Sequence, residues 1–413
     1  MRKVRVRSER VIPSMVVVFA LAIALAVVTT PSAQAQIFTV LYSFTGSGVD
    51  GANPDAGLVQ DGAGNLYGTT LYGGRGPFGC PFGCGTVFKV DTAGTETVLH
   101  SFGETAKDGE SPDDGYLILD GAGNLHGTTV YGGADDSGTI YTLSAAGKET
   151  VLSFTSGAKG AFPYAGLILD KAGNGYGTTY ARGSGCPPYG CGTVYKVSSA
   201  GKESVLYSFT GPPDGEWPKS ALVRDSAGNL YGTTEYGGAN GYGTVFKVAT
   251  TGKETVLYSF CSQSGCVDGS YPYSGLVRDS AGNLYGTTVD GGAKGYGTVF
   301  KVATTGKETV LYSFCSQSGC VDGAYPFSSL VRDTAGNLYG STQYGGANDD
   351  AGTVFEVATT GKETVLHSFC SQSGCADGGY GISGLLRDSA GNLYGTAFYD
   401  GAYGNGTVFK ITP

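Results

Sequence analysis

The chain is poor in the side chains on which most enzymes depend. Among 413 residues there are three histidines, two methionines and one tryptophan. Histidine is the residue most often used to move protons near neutral pH. His100, His126 and His367 each stand where the repeat described below otherwise has tyrosine, so they read as tyrosine replacements in strands. No G-x-S-x-G, H-E-x-x-H or phosphate-loop pattern occurs, which removes the usual routes to acyl transfer, zinc proteolysis and nucleotide chemistry. Charge is sparse and acidic, with 26 Lys and Arg against 35 Asp and Glu, and this excludes a phosphate-neutralising nucleic-acid surface. Helical periodicity is missing, and 72 glycines would defeat it.

Long apolar runs are missing as well, with one exception. MVVVFALAIALAVV spans 14 residues from Met15 to Val28, behind Arg2, Lys3, Arg5, Arg7 and Arg10 and ahead of Ala33-Gln34-Ala35. That order is the pattern of a secretory signal peptide. Residues 1–35 are therefore expected to be removed after Ala35, leaving 36–413 as a single mature domain, free of any membrane span of about 20 apolar residues. The signal segment holds five basic residues and one acid, so its loss takes the net charge from −9 to −13. With no lipid-accepting cysteine after the cleavage site and no apolar tail at Pro413, a secreted, cell-surface or periplasmic monomer is expected.

Ten cysteines in an exported chain read as an oxidised set. They fall into close pairs, Cys80/Cys84, Cys186/Cys191, Cys261/Cys266, Cys315/Cys320 and Cys370/Cys375, each expected to form a local disulfide that clips a long loop. A structural zinc wants four converging Cys or His ligands, and the histidines lie elsewhere in the repeat. No metal and no cofactor are expected.

What the chain has in abundance is repetition. D-x-x-G-N recurs at Asp61, Asp120, Asp170, Asp225, Asp279, Asp333 and Asp388, 50 to 59 residues apart, and G-T-[VI]-[FY] keeps step from Gly85 to Gly406. Each unit offers four short strand-forming stretches, such as ALVRD, NLYGTTE, GTVFKV and KETVLYSF in the fourth. Four strands repeated seven times predict an all-β, seven-bladed β-propeller with antiparallel blades. The mature chain opens on a fourth-strand sequence, TVLYSF from Thr39, and closes on a third-strand sequence, GTVFKI from Gly406. The N-terminal strand is thus expected to complete the last blade and close the ring.

The motif D-[SGTK]-A-G-N-[LG]-[YH]-G-[TS]-[TA], followed by GG and GTVFKV, resembles the GloVer tandem repeat of secreted bacterial proteins and is similar in pattern to regulator-type and NHL propeller repeats. The resemblance covers residues 37–411. It implies a secreted propeller and attaches no general activity to it.

Loop lengths separate by face. The D-x-x-G-N turns and the turns such as Ala249-Thr250-Thr251-Gly252 are tight and read as turn chemistry. The two long connections, one carrying D-G-x-x-P and FCSQSGCVDG, the other following Y-G-G, open on the opposite face with every predicted disulfide. That face is rich in aromatics, among them Tyr72, Phe78, Phe82, Tyr189, Tyr236, Tyr242, Tyr271 and Tyr325, residues suited to binding.

Candidate site residues lie where the repeat breaks its own symmetry. GPPDGEWPKS places Trp217 beside Glu216 and Lys219, Glu235 stands next to Tyr236 where other units are mostly apolar, and Lys159 and Arg182 replace the usual Asp and Gly. Asp135-Asp136 and Asp349-Asp350 interrupt two other loops. Tryptophan among charges predicts a sugar-stacking platform, hence a secreted binding or scaffold module for an extracellular glycan or surface protein. Two alternatives are a glycoside hydrolase or polysaccharide lyase using carboxylates such as Glu216 and Glu235, and a purely structural or adhesive surface protein. The identity of residues 241–269 with 295–323 speaks for equivalent roles of blades and against a single catalytic centre, so no catalytic residue is assigned.

Overall fold

The computed structural model describes Met1 and residues 36–46, 50–75, 80–113 and 115–413. Residues 2–35 of the expected signal segment 1–35, and Phe78, lie outside them. The unit Gln36–Pro413 contains seven four-stranded antiparallel sheets. Blades 1 to 6 span 59–101, 118–153, 168–208, 223–259, 277–313 and 331–368. Blade 7 takes three strands from 386–412 and its outermost from Ile37–Ser43, which pairs antiparallel with Thr407–Thr412. The chain is a seven-bladed β-propeller closed by its N-terminal strand, as its repeat predicts. The innermost strands are shorter than the sequence pattern implied, two residues each, as at Val223–Arg224.

One packing unit recurs around the ring. The phenylalanine of V-L-Y-S-F meets the aromatic of G-T-V-F in the next blade edge to face, from Phe44 on Phe88 at 5.0 Å to Phe369 on Phe409 at 5.5 Å. Pairs such as Phe102–Tyr141, Phe209–Phe246 and Phe314–Phe355 repeat the contact between blades, the geometry that aromatic quadrupoles favour. The glycine of N-L-Y-G makes room for that ring. A Cβ at Gly68, Gly232 or Gly286 would sit closer than 3.0 Å to the ring of Phe88, Phe246 or Phe300.

The tight-turn aspartates staple their own blades. Asp225 Oδ1 accepts from the Asn229 backbone N–H, while its Oδ2 accepts from the Asn229 amide and the Tyr231 hydroxyl. His126 takes the tyrosine's part at Asp120, with Nε2 3.1 Å from Oδ2.

Candidate functional site

All five expected disulfides are formed on the long-loop face: Cys80–Cys84, Cys186–Cys191, Cys261–Cys266, Cys315–Cys320 and Cys370–Cys375. At three of them the clipped loop contains a regular turn. Cys266, Cys320 and Cys375 each end a short 3-10 turn, Ser264–Cys266, Ser318–Cys320 and Ser373–Cys375. The Cys266 N–H donates to the Gln263 carbonyl and the Cys320 N–H to that of Gln317, while Gly265 and Gly319 turn the chain at φ 73° and 75°. A turn this short has no helical period to read, so the sequence conceals it. These cysteines also do more than pair. The Cys266 carbonyl accepts from Gly269 and Gly292, and the Cys320 carbonyl from Gly323 and Gly346, which ties one long connection to the other.

In FCSQSGCVDG the bridge acts together with a buried carboxylate. Asp268 accepts from the Tyr258 hydroxyl at 2.7 Å, from the Ser262 backbone N–H and hydroxyl, and from the Gln263 N–H. The D-G aspartate is therefore the loop's internal anchor.

The two long connections of a blade also pair as strands, which the repeat pattern did not reveal. Gly215–Glu216 forms a two-residue ribbon with Tyr236–Gly237, and similar ribbons or single bridges occur in the other six blades. Just beyond the ribbon, Asn53, Ser111, Phe162, Trp217, Tyr271, Tyr325 and Tyr380 all take positive φ, from 55° to 63°. Non-glycine residues pay of order 1–3 kcal/mol for sparsely populated backbone regions. Their backbones clamp neighbouring blades: the Trp217 N–H donates to the Cys191 carbonyl of the preceding loop, and its carbonyl accepts from the Glu235 N–H. Five of the seven are aromatic although glycine would relieve the strain, which points to a use for the rings themselves.

The rings join into arcs. Tyr164, Tyr180, Trp217, Tyr236, Tyr271 and Tyr242 follow one another at centroid distances of 5.1–5.4 Å, and Tyr296, Tyr325, Tyr344, Tyr380 and Tyr399 form a second run at 5.3–5.9 Å. Between them, blade 5 has Asp290 in place of the tyrosine, its carboxyl pushed up by burial.

Within the first arc sits an ion pair. Lys219 Nζ lies 3.1 Å from Glu235 Oε2, each side chain 14% exposed. The ammonium donates to the Tyr273 hydroxyl at 2.9 Å and lies 4.3, 5.0 and 5.3 Å from the ring centres of Tyr273, Tyr180 and Tyr164. Desolvated cation–π contacts contribute roughly 2 kcal/mol or more. Burial, then the negative charge of Glu235, pushes Tyr180 up to about 12.

This cluster borders the propeller axis. Before the inner-strand leucine six blades carry Gly57, Gly166, Ala221, Gly275, Ser329 and Gly384, whereas blade 2 carries Tyr116. The Tyr116 ring lies against Gly57 and Gly384, on blades 1 and 7. A cavity of about 20 Å³ remains, bounded by Tyr116, Lys219, Tyr273, Phe327 and Ile382, space for about one water.

The structure thus brings together Trp217, Lys219, Glu235 and Tyr236. Glu216 turns to the disulfide, its Oε2 3.4 Å from Cys191 Sγ, with its carboxyl raised by burial. Arg182, at φ 66°, braces the Cys186–Cys191 loop through backbone bonds with Tyr189 and Gly192. Lys159 is not drawn into the cluster. It is 53% exposed and lies 3.7 Å from Glu203, the first residue of the outermost strand of blade 3. Asp136 and Asp350 each accept a backbone N–H, from Gly132 and Gly345, and so shape their loops. Sequence reasoning missed Tyr164 and Tyr180. Aligning the five D-G-x-x-P-x segments with their variants at Lys159 and Asp377, where Tyr164, Lys219 and Tyr273 share one position, is the signal that finds the first of them.

The sequence model of the family described as Gloeobacter/Verrucomicrobia repeat matches residues 77–278 and 262–413. No functionally curated protein matches the chain in sequence. Among solved structures, virginiamycin B lyase from Staphylococcus aureus is similar at 11% identity, over 92% of this chain and 99% of that one, with a TM-score of 0.58. The extracellular domain of a protein described as a hybrid two component system from B. thetaiotaomicron is similar at 12% identity, over 90% of this chain and 39% of that one, with a TM-score of 0.58. At such identities the likeness is one of fold.

Proposed function

For a chain that belongs to the Gloeobacter/Verrucomicrobia repeat family, we propose the role of an exported binding module that recognises an extracellular glycan at the axial mouth of its long-loop face. Five disulfides point to maturation in an oxidising compartment, and no described helix is long and apolar enough to cross a membrane. Export through removal of residues 1–35 belongs to this proposal.

The observation that carries it is the Lys219–Glu235 pair set among Tyr164, Tyr180 and Tyr273, with Trp217 tilted against Tyr180 and edge to face with Tyr236. Aromatic faces take the apolar faces of sugar rings, and a fixed ammonium and carboxylate side by side supply a donor and an acceptor for hydroxyls. A protein partner on the same face is the other outcome of the test.

The test is retention of the protein on a broad polysaccharide panel, with mass spectrometry of the supernatant. Retention without fragments supports the proposal, and failure to bind any glycan overturns it. A hydrolase or lyase reading has one observation in its favour, the burial-raised Glu216 carboxyl, a property of general acids. Fragments that vanish in Glu216→Gln would establish it instead.

A further inference from the structure

The outer strands of neighbouring blades meet at a recurring triad. The tyrosine of V-L-Y-S-F donates to the D-G aspartate of the following connection, as in Tyr207 to Asp214 at 2.7 Å and Tyr312 to Asp322 at 2.6 Å. The K-E-T glutamate of the next blade, or its substitute, is the third member, as with Glu254 beside Asp214 and Glu363 beside Asp322. At His367 the tyrosine is replaced, yet the pattern holds: Nε2 is 2.9 Å from Asp377 Oδ2, and Phe38 stands at the glutamate position, stacked on the imidazole at 3.7 Å.

The junction of blades 1 and 2 differs. His100 Nε2 faces two carboxylates at once, 3.5 Å from Asp108 Oδ2 and 3.4 Å from Glu149 Oε1. Both separations are long for a hydrogen bond, and Nε2 and Glu149 Oε1 are buried without a hydrogen-bond partner among the described residues. The three ligand atoms lie within 4.8 Å of one another. Zinc bonds to nitrogen and oxygen at about 2.0–2.2 Å, so two ligands of a tetrahedral ion stand about 3.4 Å apart. The two distances at His100 have that value.

We propose that His100, Asp108 and Glu149 form a binding site for a divalent transition-metal ion, zinc by its ligand set, at the seam between blades 1 and 2. The residues are held as metal ligands are. Asp108, 3% exposed, accepts the Glu104 N–H on Oδ2 and the Gly109 N–H on Oδ1, the second layer of bonds that fixes a ligating carboxylate. The imidazole is set by an edge contact with Phe102 at 4.8 Å. Entry is from a surface cavity of about 380 Å³ lined by Arg75, Val98, Leu99, His100, Ser101 and Glu104. The ion would join two blades, a structural role with a fourth position left for solvent. Cysteines take no part, since all ten are in disulfides, and this is why a search for four Cys or His ligands predicts no metal here.

The test is titration of the tag-free protein with zinc by calorimetry, and with cobalt by its visible d–d absorption. One equivalent bound, the d–d bands of a tetrahedral ion, and a rise in Tm with zinc are expected. His100→Tyr installs the residue that blades 3, 4, 5 and 7 carry at this position, so it should fold normally while weakening uptake at least tenfold. Glu149→Gln should weaken it as well, and His126→Tyr should leave it unchanged. No stoichiometric uptake by the wild-type protein, or uptake that survives His100→Tyr in a folded variant, would overturn the proposal.

Discussion

Raising the pH from 5 to 8 should loosen this propeller, because its blade seams bury acids that prefer to be neutral. Glu254, Glu308 and Glu363 begin the outermost strands of blades 4, 5 and 6. Burial, and then the charge of Asp214, Asp268 and Asp322 respectively, pushes each carboxyl up to about 7. One oxygen of each has no hydrogen-bond partner among the described residues. A carboxyl whose folded pKa lies above its unfolded value stabilises the fold fully below that unfolded value, near 4.5, and the contribution is lost as pH rises through about 7. A shift of this size corresponds to about 3 kcal/mol in full. The side chains are only half-buried, so solvent screening reduces it to on the order of 1 kcal/mol each. Urea melts of the wild-type protein at pH 5 and pH 8 should therefore differ by on the order of 3 kcal/mol from these three residues. The triple variant Glu254→Gln, Glu308→Gln, Glu363→Gln should lose most of that difference and be the more stable protein at pH 8. An unchanged pH slope in the triple variant would refute the reasoning. Below pH 4 the sign reverses, because Asp225, Asp279 and Asp388 are lowered: burial opposes ionisation, but bonds from Asn and Tyr outweigh it. Their contribution is present above about 3.8 and lost as they protonate.

Three further outcomes are expected. Lys219→Met leaves Glu235 without its cation, and should cost about 1–3 kcal/mol in thermal or urea unfolding, partly recovered when Glu235→Leu is added. Trp217→Ala should weaken retention on the bound polysaccharide about tenfold or more, with circular dichroism unchanged, whereas a purely adhesive scaffold would show no loss. Tyr116→Gly gives blade 2 the small residue found there in the other blades, and should destabilise by about 3 kcal/mol while admitting solvent to the axis, read as a fall in urea midpoint.

Much of this molecule is legible in the residues because the repeat fixes local chemistry seven times. D-x-x-G-N is a turn wherever it stands, and cysteines four or five positions apart can scarcely pair otherwise than locally. The 3-10 turns that end at Cys266 and Cys320 were not legible, because three residues carry no periodicity and the glycine between serine and cysteine argues for a loop. Trp217, Lys219, Glu235 and Tyr236 stand out as breaks in the pattern, and they do meet. Lys159 breaks the pattern equally and goes to Glu203 instead, since a broken repeat position says where the backbone is and not which neighbour a long side chain finds.

The sequence alone determined the number of blades, the strand order, the closure at Thr39 and the disulfide pairs, all of which follow from contacts within one unit or between identical units. Only the tertiary structure decided what happens between unlike units. The Tyr116 ring lies against blades 1 and 7 because its neighbours there are Gly57 and Gly384, and His100 meets two carboxylates because Asp108 and Glu149 reach it from the following connection and blade. A ring makes neighbours of side chains from units far apart in the chain, and their distances depend on how the blades pack, which no single repeat contains.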